Sequence, residues 1–164
     1  MGEILKKRLV MSRFQGPHHE ATLNLLLAGA HLRSAMERTF EEAGLTPGQY
    51  NVLRILNGAH PQGYARCEIA RRMIERAPDL TRMIDRLIAR SLVERRKCAE
   101  DARRSMAHIT AKGRHLLARL APIVEAEAQT MRDTLNASEA RELSRLCEKI
   151  YARSVQAEIA EDEA

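Results

Sequence analysis

The residues best suited to chemistry in this chain are arginines. Eight basic residues lie between Thr81 and Thr110, and seven of them are arginines. A guanidinium group can form two parallel hydrogen bonds with a guanine edge, and it can also pair with a phosphate. The sequence contains no nucleophile elbow, no Gly-rich phosphate loop and no metal–carboxylate motif. These residue types therefore predict binding of a polyanion rather than catalysis, and they indicate no cofactor.

The basic residues are concentrated in the middle of the chain. The whole sequence of 164 residues has a formal net charge of +5. Residues 66–114 contain 14 Lys/Arg and 7 Asp/Glu, whereas residues 115–164 contain 6 and 10. A focused basic surface is expected of a protein that binds a polyanion. A solvated basic face without a partner would have the same composition, so charge alone leaves both interpretations open.

The spacing of apolar residues predicts a mainly helical chain with one β-hairpin. A helix is expected from residue 18 to about 42, a second after Thr46, a short one at 67–75 and a fourth from Pro78. Two short alternating segments then flank a charged tip, which is the pattern of a hairpin. A long helix and a final helix follow. This order predicts a helix-turn-helix followed by a β-hairpin wing.

Residues with capping roles mark the predicted helix ends. Gly44 is expected to end the first long helix, and Thr46 with Gln49 has the sequence of a capping box. Thr110 can cap the long helix, and "NASE" offers a second capping box before the last helix. These residues divide the chain into the elements named above.

We expect a mainly α fold with a small β-hairpin wing, made of a winged helix-turn-helix lobe and dimerisation helices from both ends of the chain. Residues 1–16 are expected to form an N-terminal tail or a short extra helix with weak packing, and residues 17–164 one domain. The winged core would span about 46–114, and the dimerisation helices about 18–43 and 111–160. The outer helices are too long and too apolar to be covered by so small a lobe, which favours a homodimer.

Three local motifs resemble those of MarR-type transcriptional regulators. They are "LTRMIDRL" leading into "ARSLVERR", the wing pair Asp101-x-Arg103, and "IT" followed by Gly113. The resemblance is strongest for residues 65–117. The chain departs from the family pattern at Ser91, where the family usually has Gly. It also departs at Ala102, where a further Arg is common, and at the likely N-caps Ala65 and Ala77.

This resemblance implies a homodimeric protein that binds double-stranded DNA and represses, or less often activates, transcription. It also implies a small aromatic or phenolic ligand between the dimer region and the DNA-binding lobe. Such a pocket would have walls from the first two helices and the start of the long one. His31, Tyr50 and Arg54 are available there as polar groups.

The first group of candidate DNA-binding residues lies around the start of the fourth helix. Residues at the N-terminus of a recognition helix reach base edges in the major groove, and the candidates here are Arg76, Asp79, Thr81 and Arg82. Arg82 would bind a guanine. Asp79 would accept from a cytosine amine, cap its own helix or orient a neighbouring Arg. Arg86, one turn further on, is expected to pair with an acid or touch a phosphate.

The second group is the wing tip. Arg103 is expected to enter the minor groove, where narrow A·T-rich stretches attract cations. Asp101 would hold the wing or Arg103 in place, and Arg104 would contact a phosphate.

The remaining basic residues of this region have less specific expectations. Arg71 and Arg72 are expected at the surface, with phosphate contact as the alternative. Arg90 would pair with an acid or touch a phosphate. Arg95 and Arg96 are neighbours on a strand, so their side chains point to opposite faces.

Alternative functions stay open at this point. Cys67 or Cys98 could make the chain a redox-responsive regulator, or the long helices could form a protein-interaction module without DNA binding. Cys147 falls on an apolar stripe and is expected in the core. The adjacent His18 and His19 lack the spacing of metal ligands, so no metal is expected. No signal peptide and no membrane-spanning stretch is evident, so a cytoplasmic location is expected.

Overall fold

The computed structural model describes residues 2–97 and 105–163, with side chains described as far as residue 157. In chain order the elements are α1 (Glu3–Leu9), α2 (Pro17–Glu41), α3 (Pro47–Gly58), β1 (Tyr64–Ala65), α4 (Arg66–Arg72), α5 (Leu80–Ala89), β2 (Val93–Lys97), β3 (Ser105–Ile109), α6 (Ala111–Thr134) and α7 (Ala137–Glu163). They form two compact units, which divide between Ala121 and Pro122 within α6. The predicted mainly α fold with a hairpin wing is confirmed.

The core of the first unit is built around α3. Val52, Leu53 and Leu56 of this helix are fully buried. α3 packs against α2, α4, α5 and β3. The helix begins as its sequence predicts: Thr46 and Gln49 form both bonds of a capping box, and Pro47 occupies the first turn.

The sheet has three antiparallel strands in the order β1-β3-β2. The predicted hairpin pairs Val93 with Ile109 at its base and Lys97 with Ser105 at the end of the described strands. The third strand, β1, was not predicted, because two residues are too short to show an alternating pattern. A Cβ on Gly63, the residue before β1, would collide with the carbonyl oxygen of Ala107, so glycine permits this close approach to β3.

The ends of the helices differ in part from the predictions. α2 ends at Glu41, and Gly44 terminates it three residues later as expected: Gly44 has φ +61°, its backbone N–H donates to Glu41, and that of Leu45 donates to Phe40. α4 ends at Arg72 rather than at residue 75, because Met73 is extended. α5 begins at Leu80, and Pro78 lies in the turn before it rather than in its first turn.

The N-terminal segment packs more closely than its sequence suggests. It contains the short helix α1, and Leu5 in this helix is only 2% exposed. The ammonium group of Lys6 lies 5.7 Å from the centre of the Phe14 ring. These contacts fold residues 3–14 back on themselves.

The second unit contains the rest of α6 and α7. The break between these helices is capped as predicted, because the backbone of Asn136 donates to Glu139 and the backbone of Glu139 donates to Asn136. None of the described residues of this unit is fully buried. Cys147, which we expected in the core, is half-buried. Large apolar side chains of this unit, such as Leu143 and Ile150, are exposed.

Candidate nucleic-acid interface

The recognition helix α5 has one buried side and one basic side. Leu80, Ile84 and Leu87 are buried and fix the helix against the core. Thr81 and Arg82 of the same helix are exposed. The side chain of Arg86, one turn along, is exposed as well. We call Thr81, Arg82 and Arg86 the α5 face.

The side chains of the α5 face are available to a partner. None of the three forms a hydrogen bond or ion pair with another residue that the structure describes. Arg86 therefore does not pair with an acid in the described chain, although that was one expectation. All five donors of each guanidinium can be offered to phosphates or base edges. The helix is thus held by its apolar side while its cations stay free of described partners.

Asp79 and Arg76 precede the α5 face. Asp79 occupies the N-cap position of α5 and is exposed, but its side chain makes no capping hydrogen bond. Capping, one of the roles considered for Asp79, is therefore wrong. Arg76 lies exposed in the turn between α4 and α5. Both residues are close in sequence to the end of α5 that carries Thr81 and Arg82.

The arginines of α4 are held by local contacts. Arg72 pairs with Glu68 at 2.5 Å, and its guanidinium carbon lies 4.2 Å from the centre of the Tyr64 ring. The hydrogen bond to Glu68 raises the pKa of Arg72 above its ordinary value. Arg71 lies 3.7 Å from the same carboxylate. Arg71 and Arg72 are both exposed, in agreement with the expectation that they lie at the surface.

Arg90 has a structural contact that the sequence did not indicate. Its guanidinium donates to the carbonyl oxygens of Gly44 at 2.6 Å and Ala43 at 2.8 Å. The expectation that Arg90 pairs with an acid is wrong, since its described partners are backbone carbonyls at the end of α2. A cation at this position compensates the negative end of the α2 dipole.

The wing strand is tied to the recognition helix by an ion pair. Arg95 on β2 lies 2.8 Å from Asp85 on α5. Its neighbour Arg96 pairs with Glu94. The two arginines thus have different partners, as expected of adjacent residues on a strand. The predicted wing-tip residues Asp101, Arg103 and Arg104, and also Cys98, lie outside the described residues.

The three polar residues named for a ligand pocket differ in their surroundings. His31 and Arg54 are exposed, and Tyr50 stacks on Phe40 with 4.2 Å between ring centres. A cavity of about 580 Å³ lies elsewhere in the first unit, between the end of α2, the residues after α5 and the start of α6. We call it the α6 cavity and define it by Glu42, Arg90, His115, Leu116 and Arg119.

Most residues of this cavity were not among the candidates predicted from the sequence. Lys112, His115 and Arg119 recur at intervals of three and four, and this spacing could have revealed a basic stripe on the long helix. No spacing in the sequence indicates that Arg90 lines this cavity. Its place there depends on a contact with Gly44, which lies 46 positions away in the chain.

Three observations concern the alternative chemistries and the membrane. Cys67 is exposed in the first turn of α4. Among the described residues, no group of three or more His, Cys, Asp or Glu side chains could hold a metal ion. In the same part of the chain, no helix is long and apolar enough to cross a membrane.

Comparison with known proteins identifies the family. The model of the MarR family matches residues 45–105. A MarR transcription factor from Planctomyces limnophilus is 38% identical over 83% of this chain and 98% of its own, with a TM-score of 0.64. No curated protein sequence matches the chain.

Two more distant structures share the fold. S. aureus MepR in complex with DNA is 19% identical, with a TM-score of 0.72 over 80% of this chain and 96% of its own. CouR from Rhodococcus jostii RHA1, bound to p-coumaroyl-CoA, is 20% identical, with a TM-score of 0.71 over 83% and 94%. With the close similarity to the Planctomyces protein, these findings show that the chain belongs to the MarR family of transcription regulators, which have a DNA-binding winged-helix fold.

Proposed function

We propose that this regulator is a homodimeric repressor that acts in the cytoplasm and binds a pseudo-palindromic operator through α5 and the wing. The observation that carries the proposal is the α5 face. The side chains of its two arginines and its threonine are exposed and make no hydrogen bond or ion pair with another described residue. The opposite side of the same helix is buried. A partner with many anionic and hydrogen-bonding groups fits this arrangement.

In this proposal the N-terminal part of α5 enters the major groove. Arg82 forms two hydrogen bonds with a guanine, which would contribute about 1–3 kcal/mol of discrimination against other bases. Thr81 contacts a phosphate or a thymine methyl group, and Arg76 contributes a further cation. Asp79 accepts from a cytosine amine or orients a neighbouring arginine. Arg86, one turn further along, binds a phosphate.

The wing contributes contacts beside those of the helix. Arg103 enters the adjacent minor groove, Asp101 holds it in position, and Arg104 binds a phosphate. The described strands support this role indirectly. The Asp85–Arg95 ion pair connects α5 to β2, so the described part of the hairpin is tied to the recognition helix.

Exposed apolar side chains support a homodimer. In the first unit they include Leu25, Leu26, Leu32 and Met36 on α2. In the second unit they include Ile123, Met131, Leu143, Leu146, Ile150 and Val155. A second copy would remove these side chains from water. A two-fold dimer places its half-site centres about 34–36 Å apart, which is one helical turn of DNA.

Release by a small aromatic or phenolic ligand is the final part of the proposal. CouR, which shares the fold, was solved with p-coumaroyl-CoA. A ligand that prefers a dimer whose recognition helices do not fit the operator would shift the population away from DNA.

Selection of duplex DNA from a random library by the purified protein tests the proposal. We expect enrichment of an inverted repeat whose binding weakens steeply with salt, because phosphate contacts release counterions. Arg82→Gln should weaken operator binding by about tenfold and relax the preference at one base pair in each half-site. Arg38→Gln changes an exposed arginine on α2 and is the matched control, which should stay within about twofold of the parent.

Two results would contradict the proposal. An absence of any enriched sequence at low salt would leave the α5 face as a solvated basic surface. Equal losses of operator affinity for Arg82→Gln and Arg38→Gln would mean that Arg82 contributes only through the net charge of the protein.

A further inference from the structure

The segment that joins α4 to α5 carries two of the proposed DNA-binding residues but has no regular secondary structure. It comprises residues 74–79, and we call it the α4–α5 turn. Arg76 and Asp79 lie within it and are exposed, and none of its six residues is buried. Because the turn has no side chain in the core, contacts with neighbouring helices must determine where it lies.

Two side-chain contacts attach this region to neighbouring helices. Just before the turn, the sulfur of Met73 accepts a hydrogen bond from the side-chain amide of Asn51 on α3 at 3.8 Å, and Asn51 is only 8% exposed. Within the turn, the carboxylate of Glu75 accepts a hydrogen bond from the guanidinium of Arg33 on α2, and the two groups form an ion pair. Glu75 thus connects the turn to a helix that lies 42 positions earlier in the chain.

The Arg33–Glu75 ion pair is too exposed to contribute much to the stability of the fold. The two side chains are 57% and 65% exposed, and water and salt screen such a pair. Its position gives it a different consequence. Glu75 directly precedes Arg76, so a contact that fixes Glu75 also fixes the backbone that carries a proposed DNA-binding residue.

The charge of Glu75 is unfavourable beside DNA. A carboxylate next to residues proposed to approach the phosphate backbone is repelled by it, and a glutamine would avoid this cost. Pairing with Arg33 offsets the repulsion and requires the charge. Arg33 also lies between Leu32 and Met36, two exposed apolar residues of α2 that we propose to contact a second copy. The ion pair therefore connects the α4–α5 turn to the helix that carries the proposed dimer contacts.

We propose that Arg33 and Glu75 are positioning residues that hold the α4–α5 turn against α2 and thereby set the spacing of the two half-sites that a dimer recognises. The inference rests on the proposed function, because it requires a dimer in which α2 contributes to the interface. In each protomer the ion pair transmits the position of α2 to the turn, so the two turns approach DNA at one separation. Neither residue touches a base.

Hydrogen exchange of the protein without DNA tests the positioning directly. The amides of Met73 and Leu80 flank the turn and donate to backbone carbonyl oxygens at 3.2 and 3.0 Å. Arg33→Gln should raise their exchange rates by about threefold, the effect expected from loss of an exposed ion pair. Arg38→Gln, which changes another exposed arginine of α2, should leave the rates unchanged. Unchanged rates in both variants, with circular dichroism showing both folded, would overturn the proposal.

Operator selectivity is the second measurement. It is the ratio of the affinities for the selected operator and for an unrelated duplex of equal length, and a change in net charge largely cancels in this ratio. Glu75→Gln should lower the ratio by about threefold or more, although it removes a negative charge. Glu37→Gln removes an exposed acid of α2 and should leave the ratio unchanged.

Exchange of the two charges provides a rescue. Arg33→Glu combined with Glu75→Arg restores an ion pair of opposite direction, so this double variant should recover most of the parental selectivity. An unchanged ratio in Glu75→Gln, or a double variant as unselective as Glu75→Gln, would overturn the proposal.

The spacing of the half-sites is the third measurement. One base pair inserted at the centre of the operator moves the half-sites roughly 3.4 Å apart and rotates them by about 35°. The insertion should weaken binding of the parent about threefold more than binding of Arg33→Gln, because the turns of the variant are less tightly held. Equal losses of affinity would overturn the role in spacing. If the parent binds no DNA, the proposed function fails, and the exchange rates still decide whether the ion pair holds the turn.

Discussion

Arg90 and Gly44 are joined by a hydrogen bond of 2.6 Å, although they lie 46 positions apart in the chain. The guanidinium of Arg90 donates to the carbonyl oxygen of Gly44 and, at 2.8 Å, to that of Ala43. Gly44 lies just beyond the end of α2 and Arg90 directly follows α5, so one side chain connects the ends of two helices. The recognition helix is thereby attached to the end of α2 as well as to the core.

Replacing Arg90 should measure the strength of this connection. Arg90→Met keeps much of the side-chain length but leaves two carbonyl oxygens without their donor. We expect the free energy of unfolding to fall by about 1–2 kcal/mol, at the lower end of the range for bonds to charged groups because the site is partly exposed. Urea denaturation is the measurement. Arg86→Met, on the α5 face, is the control and should change the free energy of unfolding by less than about 0.5 kcal/mol. Equal losses of stability for both variants would contradict the role of Arg90.

Ser91 should be stabilised by the glycine that the family usually has there. Its φ of +58° lies in the left-handed region, which costs a residue with a Cβ about 1–2 kcal/mol. Glycine avoids this cost but has more entropy in the unfolded chain, so Ser91→Gly should raise the free energy of unfolding by about 0.5–1 kcal/mol. In the control Ser105→Gly, within β3, the same change should lower stability. A loss for Ser91→Gly would show that the serine is not strained.

Gly113 should not tolerate a side chain. A Cβ at this position would collide with the carbonyl oxygen of Leu92 and lie 2.7 Å from the Ile109 side chain. Because a backbone atom cannot move aside without disturbing the sheet, Gly113→Ala should destabilise the fold by about 2–4 kcal/mol. At Gly58 the added Cβ has no described atom within 4 Å apart from its chain neighbours and the backbone of its own helix. Gly58→Ala should therefore leave stability unchanged or raise it by up to about 1 kcal/mol, and thermal unfolding of both variants would compare them.

Glu142 should titrate at a lower pH than an isolated glutamate. A hydrogen bond from Arg145, at 2.7 Å to Oε1, lowers its pKa below the ordinary value of 4.5. A lowered pKa in the folded state means that the stabilisation is present above the ordinary pKa and is lost as the pH falls through the folded value. An NMR titration of the Glu142 carboxyl should show this shift. Arg145→Gln should return the pKa towards 4.5, and Arg141→Gln should not, whereas an unshifted pKa in the parent would contradict the ion pair.

Local sequence chemistry accounts for much of the fold. The capping boxes at Thr46 and Asn136 and the ending at Gly44 form as predicted, because each depends on residues within a few positions of one another. The spacing of apolar residues predicted the helices α3 and α5, and in the structure Leu56 and Leu87 of these helices are buried. The family motifs around α5 and the hairpin were recognisable for the same reason: they are contiguous in the chain.

Tertiary structure decided the features that depend on distant segments. The strand β1 exists because Tyr64 and Ala65 lie beside β3, and two residues have no pattern of their own. Arg90 became a helix-end donor, and Arg95 became the partner of Asp85, through contacts that folding creates. The grouping of Glu42, His115 and Arg119 around one cavity likewise joins separate helices. A sequence lists the charges of such residues, but the free energy of each charge depends on which groups folding places within hydrogen-bond distance of it.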